Sequence, residues 1–106
     1  MGWTISARPQ WRESKKYLGL YLQCDGPPES SSWSVTANYE LRLLSQKEEV
    51  KSIKKEEKDQ VFRGRGGYGW DSFHPWNDIC DPSNGYIKDD TVILEAYIKA
   101  DAPVIR

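Results

Sequence analysis

The only histidine, His74, is the side chain best suited to general-base chemistry near neutral pH. Nucleophilic catalysis of the Ser-His-Asp or Cys-His kind would have to combine it with Cys24, Cys80 or one of the serines. However, His74 lies between a phenylalanine and a proline, a setting more typical of a structural or surface histidine. The sequence therefore contains no credible catalytic site, and we expect a chain without enzymatic activity.

Metal and cofactor binding have equally little support. Cys24 and Cys80 are far apart and belong to no CxxC motif, which leaves too few ligands for zinc. Two reduced thiols of an intracellular protein are favoured over a disulfide. Asp71, Asp78 and Asp81 stand near asparagine, proline and glycine residues and suit turn capping better than a carboxylate cluster. We expect no cofactor and no metal.

The glycine-rich stretch at residues 64–69 formally matches the GxGxxG motif of nucleotide sites. That motif must open a helix, and Pro75 lies where the helix would run, so we interpret the match as accidental. A likeness to RGG tracts is also weak, because those tracts are repeated. We favour a third interpretation. Because glycines have no bulky side chains, they leave room along a strand for the backbone of another chain to approach beside Tyr68 and Trp70.

The composition predicts one small domain with a recognition surface. The chain has 106 residues and a net charge of −1, which disfavours nucleic acid and anionic membranes as partners. Five tryptophans and six tyrosines supply rings with polar tips, which suit a wetted interface. Because no apolar run is long enough for a membrane span or a signal peptide, we expect an intracellular protein, nuclear or cytoplasmic.

Three segments, residues 17–24, 33–44 and 91–100, alternate between apolar and polar side chains with the period of a β-strand. Residues 2–8 and 60–63 are shorter strand candidates. The charged segment at residues 47–59 has too few apolar residues for an amphipathic helix, and we expect an exposed strand connection there. Many short strands separated by turns predict an all-β fold, an antiparallel β-sandwich.

The order of several motifs resembles that of the MATH domain, also called the TRAF homology domain. The motifs are GWTI at residues 2–5, YLGLYLQC at 17–24, SSWS at 31–34, GYGWDSF at 67–73, WNDICDP at 76–82 and ADAP at 100–103. Within the family they look most like the TRAF-like N-terminal domain of the herpesvirus-associated ubiquitin-specific protease. The resemblance spans nearly the whole chain.

The resemblance implies a seven- to eight-stranded antiparallel β-sandwich that binds short linear peptides for the ubiquitin and deubiquitination machinery. In the family, the peptide lies extended and pairs with a strand that corresponds here to residues 67–70, a case of β-augmentation. The peptide-binding residues that it implies are Tyr21, Tyr39, Gln60, Gly66, Gly67, Tyr68, Gly69 and Trp70. Alternation alone places Tyr39 on the core face with Leu41 and Leu43 instead.

The chain departs from the family pattern in three places. Gly67 stands where the family has an acidic residue, and Gln10 stands where the most similar members have an arginine. Both changes remove charged hydrogen-bond partners, which leaves backbone pairing and ring contacts to carry recognition. The family's first strand is also absent from the sequence, so we expect residues 1–106 to form a single domain truncated at its N-terminus, either a monomer or a strand-exchanged dimer.

Two other functions remain open at this point. A TRAF-type oligomerisation scaffold in signalling is the alternative, although the sequence has no heptad segment for the coiled coil that such scaffolds use. An RNA-binding fold that uses Arg63, Arg65 and the aromatic residues ranks third, and the salt dependence of binding would distinguish it.

Overall fold

The structure, a computed structural model, describes residues 2–26, 32–64 and 66–105. Residues 1, 27–31, 65 and 106 lie outside the described residues, and they include Arg65, which the RNA-binding alternative uses. The strands are β1 Gly2–Arg12, β2 Lys15–Asp25, β3 Trp33–Leu43, β4 Ile53–Phe62, β5 Tyr68–Pro75, β6 Leu94–Ala100 and β7 Val104–Ile105. A short helix, α1 Trp76–Cys80, is followed by a 3₁₀ helix at Pro82–Asn84.

Two antiparallel sheets pack face to face, which confirms the predicted all-β sandwich. The first sheet has the strand order β1-β2-β5, and the second has the order β4-β3-β6, with β7 also paired to β3. Each sheet buries one face because the side chains of its central strand alternate. The buried apolar side chains of these two strands are Leu18, Leu20, Leu22 and Cys24 from β2, and Val35, Ala37, Tyr39, Leu41 and Leu43 from β3.

The structure extends two of the predicted strands. β1 continues to Arg12 although Pro9 interrupts its backbone donors, which an edge strand tolerates because one side of its backbone is unpaired. β4 begins at Ile53, inside the charged segment at residues 47–59, and half of its residues are exposed. Charged residues at the edge of a sheet discourage pairing with other chains, so the composition of β4 suits its position.

The glycine-rich stretch leads into a strand, β5, and not into a helix, so the interpretation of the GxGxxG match as accidental is confirmed. The helix α1 begins only after Pro75, whose φ of −60° suits a helix N-terminus. In the described part of the chain, no helix is long and apolar enough to cross a membrane.

The two sheets are stacked so that β5 lies near β3 and β4, and β1 lies near β6. Tyr39 of β3 and Trp70 of β5 place their ring centroids 5.7 Å apart, and Lys55 of β4 donates to the Ser72 carbonyl at 3.3 Å. On the other side, Trp3 and Ile5 line an open groove together with β6. The free edges of β5 and β6 therefore lie on opposite sides of the sandwich.

Candidate binding face

β5 is an edge strand of the first sheet within the described residues, and it pairs only with β2. Tyr68 lies opposite Leu22, Gly69 opposite Tyr21, and Trp70 opposite Leu20. Because directly opposed residues share a face of the sheet, Tyr68 and Trp70 point toward the interior. Gly69 points to the outer face.

The three glycines of this region have different roles. A Cβ on Gly69 would lie 2.1 Å from the Leu20 carbonyl oxygen, so only glycine lets β5 approach β2 this closely. A Cβ on Gly67 would lie 3.1 Å from the Tyr21 Cβ, a tight contact against a side chain. Gly66 has a φ of +122° and open space around it, which identifies it as a turn residue. All three remain exposed to solvent.

Tyr68 and Trp70 are half-buried and belong to a chain of aromatic contacts across the interior. The rings of Tyr68 and Phe62 meet edge to face at 5.2 Å, and Trp70 lies 6.1 Å from Phe73. Such pairs add stability beyond the area that they bury. Each ring therefore packs against the core while part of it remains accessible to solvent.

Tyr21 holds a hydrogen-bond network on the outer face of the first sheet. Its hydroxyl donates to Asp71 and accepts from the Gln10 side chain at 3.0 Å, and Arg12 pairs with the same Asp71 carboxylate. The Arg8 guanidinium lies 4.6 Å from the centroid of the Tyr21 ring. Tyr21 is only 7% exposed, so the network links β1, β2 and β5 above a covered ring. We call Arg8, Gln10, Arg12, Tyr21 and Asp71 the outer network.

A local bulge follows Trp70 in β5. Between Trp70 and His74, residues 71–73 of β5 stand opposite the single residue Gly19 of β2. Alternation from Gly69 already places Asp71 on the outer face, and the extra residues bend the strand so that Phe73 is buried. Gly19 is also needed here, because a Cβ on it would lie 2.6 Å from the Tyr21 hydroxyl and 2.7 Å from the Gln10 Cγ.

Tyr21 and Asp71, the two titratable groups of one hydrogen bond in the outer network, both have shifted pKa values. Burial, followed by donation to Asp71, raises the pKa of Tyr21 above 10.0. The hydrogen bond from Tyr21, followed by that from Arg12, lowers the pKa of Asp71 below 3.8. Asp71 is therefore an ionised acceptor and Tyr21 a neutral donor at neutral pH.

Tyr39 and Gln60 belong to the second sheet. Tyr39 is 4% exposed between Phe62 and Trp70, and burial raises its pKa to about 12. A ring so deeply buried supports the core, so the role in a groove wall that the resemblance implies does not match its position. Gln60 is half-buried on β4, where its side-chain amide donates to the Val61 carbonyl at 3.1 Å.

The residues considered for catalysis have structural partners. His74 pairs with Asp78, and its ring meets Tyr86 at 5.5 Å, as expected for a structural histidine. Asp81 accepts from the Ser83 backbone amide at 3.0 Å and so caps the 3₁₀ helix, which confirms its predicted capping role. Asp71 does not cap a turn, and that expectation is wrong because Asp71 lies within β5 on its outer face, where its carboxylate accepts from Tyr21.

The two thiols are free, with Cys24 buried and Cys80 exposed. Burial, followed by the nearby Asp25 charge, raises the pKa of Cys24. In the ranges that the structure describes, no three His, Cys, Asp or Glu side chains are grouped as metal ligands.

Sequence reasoning missed Asp71, Arg8 and Arg12 as members of the face. The signal was present in part, because alternation from Gly67 through Gly69 reaches Asp71, and alternation along β1 joins Arg8, Gln10 and Arg12. The prediction ended β1 at residue 8, before Pro9, and so stopped short of two of these side chains.

The fold and the face together define a β-sandwich with an unpaired edge at β5 within the described residues and a polar outer face, and the family comparison identifies its class. The MATH domain family matches residues 1–98, and the chain belongs to this family. A MATH domain is a non-catalytic protein-interaction module, as the resemblance implied.

Three curated relatives illustrate where such domains occur. The chain is 31% identical over 102 residues to ubiquitin carboxyl-terminal hydrolase 7 of Drosophila melanogaster, covering 95% of this chain and 9% of that protein. It is 36% identical over 96 residues to the RING finger protein DG17 of Dictyostelium discoideum, covering 90% of this chain and 20% of that protein. It is 22% identical over 99 residues to the BTB and MATH domain-containing protein 38 of Caenorhabditis elegans, covering 91% and 25%.

The chain thus spans a quarter or less of each of these relatives. The similarity concerns the interaction domain.

Proposed function

We propose that the chain captures short linear peptides of other proteins by β-augmentation at the free edge of β5, and that it does so for the ubiquitin machinery. The observation that carries the proposal is the edge itself. β5 has a partner on one side only within the described residues, and exposed glycines stand at its start. Backbone hydrogen bonds to an added strand supply affinity without reading sequence.

Side chains of the added strand would alternate between two environments. Those that point inward meet the accessible sides of Tyr68 and Trp70, which are half-buried beside the edge. Those that point outward lie next to Gly67 and Gly69, which have no side chains, on the face that also carries Tyr21. The inner positions favour apolar residues, and the outer positions favour small or polar ones.

The outer network adds a polar boundary to this surface. Gly67 removes the acidic residue that the family resemblance leads one to expect, but Asp71 places a carboxylate on the same face. That carboxylate already accepts from Tyr21 and Arg12, so it holds the face in shape. Gln60 of β4 is the proposed rim residue, and Tyr39 supports Trp70 from beneath.

Ordering a flexible peptide offsets part of the contact energy, so we expect dissociation constants near 1 μM, about −8 kcal/mol. The ubiquitin-pathway relatives support an intracellular setting, nuclear or cytoplasmic, for this activity.

The test begins with a peptide library screened against the whole chain, followed by chemical-shift mapping of the best peptide. We expect shifts at Gly66, Gly67, Tyr68 and Trp70, with Tyr97 and Glu95 on the distal sheet silent. A map centred on β6, or on the loop at residues 81–90, contradicts the proposal.

Removing the ring of Tyr68 tests whether this side chain anchors the bound peptide. Tyr68→Ala should weaken peptide binding by about 1–3 kcal/mol in a titration, because an accessible aromatic contact is lost. Tyr97→Ala is the matched control, since this tyrosine lies on the other sheet and should leave affinity unchanged. Circular dichroism must show that the Tyr68 variant remains folded. If the variant unfolds, Tyr68 is a core residue, and the chemical-shift map of the wild-type chain then tests where the peptide binds.

A further inference from the structure

The outer network has more positive than negative charge. Arg12 pairs with Asp71, whereas Arg8 forms no ion pair with a carboxylate of the described residues. Lys15 lies opposite Arg12 in the ladder of β1 and β2, so it adds a third cation to the same face. Because the whole chain has a net charge of −1, this face differs in sign from the protein as a whole.

The carboxylates of this face already have donors. Asp71 accepts from Tyr21 through one oxygen and from Arg12 through the other. Asp25, at the far end of β2, accepts from the Thr4 hydroxyl at 3.1 Å. A cationic side chain of a ligand would have to displace these donors, whereas an anionic side chain meets a guanidinium group that has no carboxylate partner.

The position of Arg8 suits an anionic ligand group. Its guanidinium lies 4.6 Å from the centroid of the Tyr21 ring, so the ring holds the positive charge above β2 while Arg8 stays exposed. Tyr21 lies opposite Gly69 of β5. Gly67 and Gly69 have no side chains, and they stand between this guanidinium and the free edge of β5 in the order of the strands.

We propose that the peptide bound at β5 carries an anionic side chain, glutamate or phosphoserine, at the outward position beside Gly69, and that Arg8 binds this group. The inference rests on the proposed function, because it assigns the chemistry of one position of the same ligand. A guanidinium forms charge-assisted hydrogen bonds with a carboxylate or a phosphate, often two at once. Arginine can make these bonds while its planar group packs on an aromatic ring, as Arg8 does on Tyr21.

The spacing of the strands limits which anionic residues reach Arg8. Adjacent strands lie about 4.8 Å apart, so a strand added at β5 stands roughly 14 Å from β1. Arg8 spans part of this distance above Tyr21, and the side chain of the ligand must span the rest above Gly69. Glutamate and phosphoserine are longer than aspartate, so we expect aspartate to bind less well at this position.

A displayed library of random decapeptides, selected on the whole chain, tests the preference. Among the selected peptides that shift the resonances of Gly67, Tyr68 and Trp70, we expect glutamate to be enriched at one outward position. In the most enriched peptide, changing that glutamate to glutamine should weaken binding about threefold, which is typical of a partly exposed ion pair.

The same peptide with phosphoserine in place of the glutamate distinguishes the two sources of negative charge. Tighter binding of the phosphoserine peptide identifies phosphorylated segments as the ligands, and weaker binding identifies acidic segments. Both peptides should bind more tightly than the glutamine peptide.

Variants of Arg8 test whether this residue binds the anionic side chain. Arg8→Gln should weaken binding of the glutamate peptide about threefold and leave the glutamine peptide unchanged, because both changes remove the same interaction. Arg8→Glu should prefer a lysine peptide to the glutamate peptide. Arg42→Gln is the matched control, since Arg42 lies 4.1 Å from the centroid of the Tyr97 ring on the other sheet and should not affect either peptide.

Salt and position separate this contact from a general attraction of charges. The preference for glutamate over glutamine should shrink as the salt concentration rises from about 0.01 M to about 1 M. Moving the glutamate by one residue places it on the inward side, beside Tyr68 or Trp70. Binding should then weaken, because a carboxylate loses hydration next to half-buried rings.

Two results overturn the inference and leave the proposed function intact. In the first, peptides that map to β5 show no preference for glutamate over glutamine. In the second, they show the preference, but Arg8→Gln does not reduce it although circular dichroism shows a folded variant. A library that yields no peptide bound at β5 overturns the proposed function, and this inference with it.

Discussion

Each outer face of the sandwich carries a tyrosine that donates to a carboxylate and lies under an arginine, yet the two arrangements differ in burial. Tyr21 donates to Asp71 with Arg8 at 4.6 Å from its ring, and it is almost fully covered. Tyr97 donates to Glu95 at 2.8 Å with Arg42 at 4.1 Å from its ring, and about half of it is exposed.

The sequence separation of the partners explains what each arrangement can do. Tyr21 and Asp71 are 50 residues apart, and Arg12 and Asp71 are 59 apart, so the outer network joins three strands. On the second sheet, Glu95 and Tyr97 are two residues apart, and so are Glu40 and Arg42. The hydrogen bond and the ion pair within single strands add little to folding, and only the Arg42–Tyr97 contact links two strands there, whereas the outer network connects three strands.

We expect the largest loss of stability from a substitution that separates β5 from β2, because their close approach brings Asp71 to Tyr21. Gly69→Ala should destabilise the chain by roughly 1–3 kcal/mol, because its Cβ meets the backbone of β2, which cannot move as a side chain can. Gly67→Ala, whose Cβ meets only the Tyr21 side chain, is the matched control and should cost less. Urea denaturation of both variants measures the difference, and equal midpoints would contradict the assigned contact.

Removing one hydroxyl from each face compares the two tyrosines directly. Tyr21→Phe should cost about 1–3 kcal/mol, because Asp71 and Gln10 lose a partner beneath a covered ring. Tyr97→Phe should leave the unfolding midpoint unchanged, since water replaces the lost partner of Glu95. A larger loss from Tyr97→Phe than from Tyr21→Phe would reverse the comparison.

The smallest expected effect is a difference in acid stability. The pKa of Asp71 is lower in the folded chain than its ordinary value of 3.8, so its ionised form contributes stability above that value. The contribution is lost as the pH falls through the lowered pKa. Asp71→Asn should therefore lower the melting temperature at neutral pH, and the gap to the wild type should narrow below pH 3.8. A gap that stays constant to the lowest pH would show that Asp71 titrates normally.

Local patterns predicted the central strands well and the edges less well. β3 was predicted from strict alternation, because one of its faces is buried along its whole length. β4 shows no comparable pattern, since an edge strand with charged side chains on both faces leaves no hydrophobic period to detect.

The candidate face was predicted only where neighbours along the chain define it. The glycines and the two rings of β5 are contiguous, so the sequence indicated them together. Alternation places Asp71 on the same face, but its partner Tyr21 is 50 residues away, and that pairing is not encoded in the residues around Asp71. Tyr39 shows the reverse case, where alternation along β3 indicated burial more reliably than the position carried over from the family.

The crowding above Gly19 has a consequence for how this family can diverge. Any side chain at position 19 would displace the Tyr21 hydroxyl or the Gln10 side chain, so the three positions are sterically coupled. Homologues that acquire alanine or a larger residue at 19 are expected to carry a ring without a hydroxyl at 21, or a shorter residue at 10. Evolutionary covariation among these three columns of an alignment would record that coupling.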